Sequence, residues 1–309
     1  MLCYGSKGEI IEAASEALKN GEKVWLSFNC KKTARQVYDL FMAQNPHLHG
    51  IYVSGDNNGD AEVVRLLADV NRGGRDYDFV ISTPAVSTGV SVELASHFTW
   101  VGGVFSRFVN TPLDCVQALR RVREVQTLHL YVEKGRNDLP TDREEIARNW
   151  LNTHRIDQQF MGVSSTTGVE EIADVDYRAL CAEVGSQENW GKNDFQFILW
   201  KLLYLDGFTL EHVSRDEATK KEGQKLIQVG KTLEQQEYVG TRVAATNISG
   251  EMATQLEKRL KRTMAESRQL DKHRVQKFYR LAPEVAGEEL SSVIEEDNRG
   301  KLRQQVANL

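Results

Sequence analysis

The amino-acid sequence predicts an α/β fold, with a doubly wound, mostly parallel sheet followed by a mainly helical C-terminal region. Short apolar segments alternate with amphipathic segments of about 10–15 residues as far as residue 134, which is the pattern of βαβ units. Crossovers in such units are right-handed, and this favours helices on both faces of the sheet. From about residue 174 the apolar positions recur at helical spacing instead, which indicates a helical region.

Five apolar segments are predicted as strands of the sheet, namely 23–28, 49–53, 79–82, 98–104 and 128–132. Four amphipathic segments are predicted as helices, namely 7–20, 31–43, 60–71 and 112–122. The first helix has Ile10, Ile11, Ala14 and Leu18 at helical spacing, and Asn20-Gly21 ends it. The polar run 54–59 lies between a strand and a helix and is a turn by composition.

The region after Lys134 is predicted to begin with a polar break at 135–140 and a helix at 143–152. The apolar run 195–204 is expected to be the most buried segment there, and Phe208–Val213 is expected to form a hairpin arm of a small winged-helix-like module. Residues 251–280 are predicted as one long basic helix. The predicted domains are 1–134, a connecting segment 135–173, and an accessory domain 174–309.

The overall composition is that of an ordinary globular protein. Of the 309 residues 40% are hydrophobic, and the net charge of -5 gives no global attraction to nucleic acid, so any such binding needs local basic patches. No apolar run approaches the ~18 residues that span a bilayer, so no membrane partner is expected. The four cysteines are far apart in the sequence, which argues against a metal site and a disulfide framework and favours the cytoplasm.

Two polar segments carry the strongest functional signal. The buried strand that ends near Ser82 opens into a loop with Thr83, Ser87, Thr88 and Gly89, at the strand end where open α/β sheets place ligands. Further along, Gln117 and Arg121 are four residues apart on a predicted helix, so they share one face. Hydroxyl and backbone N–H groups bind phosphates, and a fixed arginine neutralises phosphate charge. The alternative interpretations are that the loop is a plain polar connection and that Gln117 and Arg121 lie on a solvated basic helix face.

Two further groups of residues are candidates for contact with a nucleic-acid backbone. Asn29, Lys31 and Thr33 follow the first predicted strand of the sheet. Lys258, Arg259, Lys261 and Arg262 begin the predicted basic helix, whose charge can neutralise several phosphates independently of base sequence. A polar loop after any strand, and a charged face paired with the acidic stretch 284–297, are the open alternatives.

Two apparent nucleotide motifs are rejected. Gly230-Lys231-Thr232 resembles the end of a phosphate-binding loop, but Lys225 stands where that loop needs glycine, and no apolar strand precedes it. Asp216–Thr219 resembles a metal-holding acidic box but also lacks a buried strand before it. Both are expected to be surface segments.

In order and spacing, the segments Asp78–Val92 and Gln117–Arg123 resemble the two motifs of the second RecA-like domain of superfamily 2 helicases. Thr83, Gly89 and Val90 match the first motif, but Ser91 replaces its aspartate. Gln117 and Arg121 match the second, in which Arg120 replaces a glycine and Glu124 the last arginine.

The resemblance implies that Arg121, with Arg123 next, is an arginine finger and that Gln117 assists it. It also implies that Gly89, Val90, Ser91 and Arg120 lie near the nucleotide. ATP and Mg²⁺ would be held mainly by an N-terminal motor domain of the same protein that is missing from this chain, so the chain alone is expected to be inactive. DNA, single-stranded or forked, is the expected nucleic-acid partner.

A second, less specific resemblance concerns the C-terminal region. Ile248–Glu251, the basic helix and Asp297–Arg303 look like parts of cyanobacterial plasmid replication proteins, which are similar to herpesvirus-type origin-binding helicases. A replication helicase is therefore the first hypothesis. The second is a non-enzymatic replication adaptor that kept the motor fold, which the departures at Ser91, Arg120 and Glu124 favour. A third is an unrelated doubly wound enzyme that acts on a small molecule.

Overall fold

The computed structural model describes residues 1–84, 91–94, 97–123, 125–154, 161–163, 170–172, 175–282, 285 and 287–307. Its strands are β1 Leu2–Cys3, β2 Val24–Phe28, β3 Gly50–Val53, β4 Phe79–Ser82, β5 Trp100–Phe105, β6 Leu128–Val132, β7 Met161–Val163, β8 Glu170–Ile172 and β9 Glu211–His212. The first helices are α1 Lys7–Lys19, α2 Lys31–Gln44, α3 Ala61–Ala68, α4 Val70–Gly73, α5 Pro112–Leu119 and α6 Arg143–His154. The later helices are α7 Val175–Asn193, α8 Phe195–Leu205, α9 Glu217–Ala244, α10 Gly250–Lys258, α11 Met264–Phe278, α12 Gly287–Asp297 and α13 Lys301–Ala307.

The described residues form a seven-stranded, all-parallel sheet in the order β3-β4-β2-β5-β6-β1-β9, followed by a helical C-terminal region. The predicted α/β class is thereby confirmed. All five predicted strands are present, and the central strand β2 pairs with two neighbours, with Leu26 opposite Ile81 on one side and Gly102 on the other. Strands β2 and β4 are fully buried, which explains why their sequences are continuously apolar rather than alternating.

The segment Phe208–Val213 is not the hairpin arm that the sequence predicted. Glu211–His212 instead forms strand β9, which pairs in parallel with β1 and extends the main sheet. The N–H groups of Glu211 and Val213 donate to the carbonyls of Met1 and Cys3, each at 2.9 Å. Because these hydrogen bonds join backbone segments that are more than 200 residues apart, no local sequence pattern predicts them.

The long helix α9 packs closely against α1 and α2. It starts at Asp216, whose side chain caps it by accepting a hydrogen bond from the Thr219 N–H at 2.7 Å, so the acidic box is a helix cap. Gly230 lies inside this helix and is buried, where an added Cβ would stand 2.8 Å from the Gln36 carbonyl oxygen. The expectation of a surface segment was therefore wrong for Gly230, whose missing side chain permits helix contact.

The single basic helix predicted over 251–280 is in fact two helices, α10 and α11. Thr263 starts α11 with a capping box, in which its hydroxyl accepts from the Glu266 N–H and the Glu266 carboxylate accepts from the Thr263 N–H. The connecting residues 259–263 dock on the turn 54–59, since the Gly59 N–H donates to the Arg262 carbonyl at 2.8 Å. An added Cβ on Gly59 would lie 2.7 Å from the Arg262 carbonyl carbon, so this docking requires glycine.

The chain divides into two compact units. Unit 1 comprises 1–104, 118–131 and 211–309, and unit 2 comprises 105–117 and 132–210. Residues 211–309 thus share a unit with most of the sheet, whereas the sequence placed them in an accessory domain that began at 174. This difference arises because α9 packs against α1 and α2, and β9 pairs with β1, so the C-terminal helices belong to the same unit as these elements.

In unit 2 the polar break at 135–140 is attached to α7. The Asn137 amide donates to the Lys192 carbonyl at 2.8 Å, and the Asn193 side chain bonds the backbone of Leu139 in both directions, at 2.8 and 2.9 Å. Helix α8 buries Phe195, Leu199 and Leu203, but Phe197, Tyr204 and Leu205 on it are exposed. The run 195–204 is therefore buried on one face only. Among the described residues, no helix is long and apolar enough to cross a membrane.

His129 on β6 is a packing residue whose ionisation is coupled to folding. Its ring stacks on Trp100 at 4.2 Å, and its Nδ1 is 2.8 Å from the Tyr4 hydroxyl. Burial, together with the positive N-terminus and Arg215, lowers the pKa of His129 to about 4. The folded state thus holds the neutral ring, and the unfolded chain binds a proton near pH 6.5.

We expect this histidine to contribute to acid sensitivity. Above pH 6.5 the ring is neutral in both the folded and the unfolded state. As the pH falls from 6.5 toward 4, only the unfolded chain binds the proton, and the free energy of unfolding drops by about 2 kcal/mol between pH 7.5 and 4.5. His129→Gln cannot titrate in this range, so its unfolding free energy should fall less over the same interval. Urea unfolding of both proteins at the two pH values measures the difference, and parallel pH dependences would contradict the prediction.

Candidate functional site

The carboxyl edge of the sheet brings several of the predicted residues to one side of the molecule. Strands β2, β4 and β3 are adjacent and parallel, so their ends meet at the same edge. Asn29 follows β2, Ser54 follows β3 and Thr83 follows β4. Both Asn29 and Thr83 are buried, and the Thr83 N–H and hydroxyl donate to the Val53 carbonyl at 2.9 and 3.3 Å. The hydroxyl of Thr83 therefore fixes the edge of the sheet.

The loop that follows Thr83 falls largely outside the described residues. Ser87, Thr88, Gly89 and Val90 lie in that part, so their predicted roles in binding nucleic acid and nucleotide stay predictions. The described chain resumes at Ser91.

Ser91 and Arg123 join the two motif-like segments. The Arg123 Nε donates to the Ser91 hydroxyl at 3.0 Å, although the two residues are 32 positions apart. Beside this contact, the Val92 N–H donates to the Arg121 carbonyl at 2.7 Å and the Arg123 N–H to the Val92 carbonyl at 3.0 Å. A short parallel bridge between Val92 and Val122 thus fixes the backbone on which Arg121 and Arg123 lie.

The arginine segment is a turn rather than the helix face that the sequence predicted. Helix α5 ends at Leu119, so Gln117 lies in it, while Arg120 and Arg121 lie in the turn after it. The i,i+4 argument for Gln117 and Arg121 consequently fails, because the bridge to Val92 redirects the chain. Arg121 is half-buried, and this burial lowers the pKa of its guanidinium. A buried cation gains more from a nearby anion than an exposed one, since water screens it less.

A large basic cavity lies in unit 1, between the ends of β2 and β3 and the C-terminal helices. Its volume is about 1070 Å³. Of the described residues, eight Lys or Arg and three Asp or Glu line it. The basic ones are Lys31, Lys32, Arg242, Arg262, Arg274, Lys277, Arg299 and Arg303. The first turn of α2 supplies the first two, and the C-terminal helices with their connections supply the rest.

Buried carboxylates hold part of this basic wall in place. Glu234, only 2% exposed, pairs with Arg299, and Asp297, only 1% exposed, accepts from Arg303 Nε at 2.8 Å. Arg242 and Arg299 both stack on the ring of Tyr238, at 3.6 and 4.0 Å from its centroid. The positions of these guanidinium groups are thus fixed by ion pairs and by an aromatic ring. Their side chains therefore lose less conformational entropy when a ligand binds.

The backbone at 298–300 has an unusual conformation beside this wall. Asn298, Arg299 and Gly300 have φ values of 44°, 63° and 87°. Two non-glycine residues in succession in the left-handed region are strained, and such strain persists only where surrounding contacts enforce it. Here the Asp297 carboxylate accepts from the Gly300 N–H at 2.7 Å and from the Tyr279 hydroxyl at 2.9 Å, and these bonds hold the turn.

The remaining predicted nucleic-acid residues separate into two groups. Lys31 and Arg262 line the basic cavity, whereas Lys258, Arg259 and Lys261 do not, and Arg259 pairs with Glu266 at 2.5 Å. Thr33 lies away from the cavity, beside Ile11 and Leu226 where α1, α2 and α9 meet. The predicted contact of Thr33 with nucleic acid stays a prediction.

Sequence reasoning gave no role to several residues that the fold brings into the cavity. Lys32, Arg242, Arg299 and Arg303 are the clearest of these, and the run Asp297–Arg303 was noted only as part of a resemblance. Lys272 lies within the segment predicted as the basic helix, yet its ammonium donates to the carbonyls of Val243 and Ala245 at 3.0 and 2.7 Å. Burial lowers the pKa of Lys272. This lysine caps the end of α9 and does not line the cavity.

Comparison with known proteins gives one distant relative. No protein-family model matches the chain, and no solved structure matches it. An uncharacterized protein of the cyanobacterium Picosynechococcus sp. is 24% identical over 275 residues. The match covers 84% of this chain but only 27% of the relative, so the chain spans about a quarter of that protein's length. The chain is thus a parallel α/β protein with a distant similarity to an uncharacterized cyanobacterial protein.

Proposed function

We propose that this chain is the C-terminal half of an ATP-dependent nucleic-acid helicase or translocase used in DNA replication initiation, with a RecA-like second motor domain in its sheet. Arg121 and Arg123 then stabilise the charge that develops on the γ-phosphate of ATP. The loops at the carboxyl edge of the sheet hold the nucleic-acid backbone. ATP and Mg²⁺ are held mainly by a motor domain outside these 309 residues.

The junction between Ser91 and Arg123 carries this proposal. A motor domain needs its nucleic-acid loop and its arginine segment side by side, because domain closure must couple strand contact to hydrolysis. The 3.0 Å hydrogen bond and the bridge between Val92 and Val122 support the proposal, since they hold Ser91 and Val92, which follow that loop in sequence, against the arginine segment. The all-parallel sheet is compatible with a RecA-like domain, and the matched relative is long enough to hold a second motor domain.

The first test uses the chain as it stands. We expect it to bind single-stranded DNA weakly, with an affinity that falls as salt rises, and to hydrolyse no ATP with or without DNA. Fluorescence anisotropy of a labelled oligothymidylate and a phosphate-release assay measure the two properties. DNA-stimulated ATP turnover by the purified chain alone would show that no second motor domain is required, and the proposal would fail.

A non-enzymatic replication adaptor is the second candidate, and Ser91 favours it. A neutral hydroxyl stands where the related motors use a carboxylate, and it is already engaged by Arg123. An adaptor binds DNA but gains no ATP hydrolysis when joined to a phosphate-loop domain. Phosphate release by the joined polypeptide therefore separates the two candidates.

A further inference from the structure

We infer that the basic cavity between the start of α2, the loop after β3 and the C-terminal helices is a binding site for a single-stranded nucleic-acid segment, in addition to the sheet edge. The inference deepens the proposed function and rests on it in taking nucleic acid as the partner. It assigns the contact to Lys32, Arg262, Lys277 and Phe278. Of these, Arg262 was predicted from sequence as a nucleic-acid contact, and Lys277 lies in the predicted basic helix.

The uncompensated positive charge of the cavity lies on three different elements. Lys31, Arg242 and Arg274 pair with the three lining acids, and Arg299 and Arg303 pair with the buried Glu234 and Asp297. Lys32 and Lys277 have no ion pair with any residue that the structure describes. Among the same residues, the Arg262 guanidinium donates only to a neutral carbonyl, that of Leu256. Cations on α2, on the 259–263 connection and on α11 suit a ligand with several phosphates in a row.

The shape of the site and its aromatic residue favour a single strand. A volume of about 1070 Å³ is large for one small anion, and the cavity is open to solvent. Phe278, which lines it, is 40% exposed at the end of α11, next to Lys277. An exposed ring beside a cation offers stacking to an unpaired base and charge to its phosphate, the combination used by proteins that bind single strands without sequence preference. Bases in a duplex are already stacked and unavailable to the ring.

The cavity is prepared for a ligand before one arrives. The strained turn at 298–300 and the stacking of Arg242 and Arg299 on Tyr238 fix its guanidinium groups. The hydrogen bond from the Gly59 N–H to the Arg262 carbonyl fixes the backbone of Arg262, which also lines the cavity. A preorganised site spends less free energy on ordering side chains when it binds.

The test compares two double charge reversals that lower the net charge equally. Lys32→Glu with Lys277→Glu changes the cavity, whereas Lys221→Glu with Lys231→Glu changes exposed lysines on α9 that do not line it. For a labelled oligothymidylate we expect the cavity variant to lose at least about tenfold in affinity. The salt slope, which is the slope of the logarithm of the binding constant against the logarithm of the salt concentration, should fall in magnitude by about 1.4. The α9 variant should stay within about twofold of the unmodified chain.

A second variant separates stacking from charge. Phe278→Leu keeps an apolar side chain but removes the aromatic face, and we expect it to weaken single-strand binding by about 5- to 150-fold. Its salt slope should be unchanged, because no cation is lost. Equal melting temperatures of the variants and the unmodified chain would show that all are folded.

Three outcomes overturn the inference. Equal losses in the cavity and α9 variants would indicate a diffuse charge effect, and no loss in either would exclude the cavity. Tight binding of free ATP or inorganic phosphate at the cavity, without binding of the oligonucleotide, would indicate a small-anion site. The proposed helicase function is judged separately by ATP hydrolysis of the joined polypeptide, so each can fail while the other stands.

Discussion

Replacing Arg121 with alanine, in a polypeptide that joins this chain to a phosphate-loop motor domain, is expected to lower DNA-stimulated ATP hydrolysis by roughly 10³- to 10⁵-fold. An arginine finger acts on the charge that develops in the transition state, so kcat should fall while KM for ATP changes little. The half-buried setting of Arg121, with its backbone fixed by the bridge to Val92, supports such a role. Steady-state phosphate release over a range of ATP concentrations measures both constants.

Two further variants make the Arg121 experiment specific. Arg121→Lys keeps the positive charge but loses the planar fork of donors, and it should recover little of the rate. Arg75→Ala removes an exposed arginine from the turn before β4 and should leave the rate unchanged. If Arg121→Ala hydrolysed ATP as fast as the unmodified polypeptide, Arg121 would not be an arginine finger, and the result would favour the adaptor hypothesis.

Replacing Gly223 with alanine is expected to lower the free energy of unfolding by about 3 kcal/mol. A Cβ on Gly223 would stand 2.5 Å from the backbone carbon and oxygen of Gly8 in α1. Backbone atoms cannot move aside as a flexible side chain can, so α9 and α1 must separate and lose packing along their length. Urea unfolding, followed by the circular dichroism of the helices, measures the effect.

The same helix provides a matched control for Gly223. Gly240 is also in α9, but an added Cβ there would meet nothing within 4 Å. Gly240→Ala should therefore raise the free energy of unfolding by about 0.5–1 kcal/mol through helix propensity alone. If both substitutions stabilised the protein, the close approach of α1 and α9 would be contradicted.

Local pattern was sufficient to predict the strands β2 to β6 and the positions of the helices between them, although the predicted helix 60–71 is divided into α3 and α4, and α5 ends at Leu119 before the arginine segment. Buried parallel strands must be apolar along their whole length, and the helices that cover them need apolar residues at helical spacing, so both features are visible in sequence. The break between α10 and α11 was missed although Thr263 and Glu266 form a capping box. Basic residues continue across both helices, so charge alone does not mark the boundary that the capping box sets.

The candidate site was predictable only in part. Thr83 was correctly placed at the end of β4. Its hydroxyl donates to the Val53 carbonyl of β3, and this contact depends on the order of the strands in the sheet, which the sequence did not predict. The charges of the basic helix could be counted from the sequence. Their partners could not, since Arg268 and Arg274 pair with Glu237 and Glu257 on other helices.

By itself the sequence determined the α/β class and most of the central strands, because these depend on neighbours within a few positions. Only the tertiary structure decided that β9 completes the sheet, that Ser91 meets Arg123, and that Lys32, Arg262 and Lys277 surround one cavity. Each of these features joins parts of the chain that are distant in sequence. Packing of whole elements selects such contacts, and no local preference encodes them.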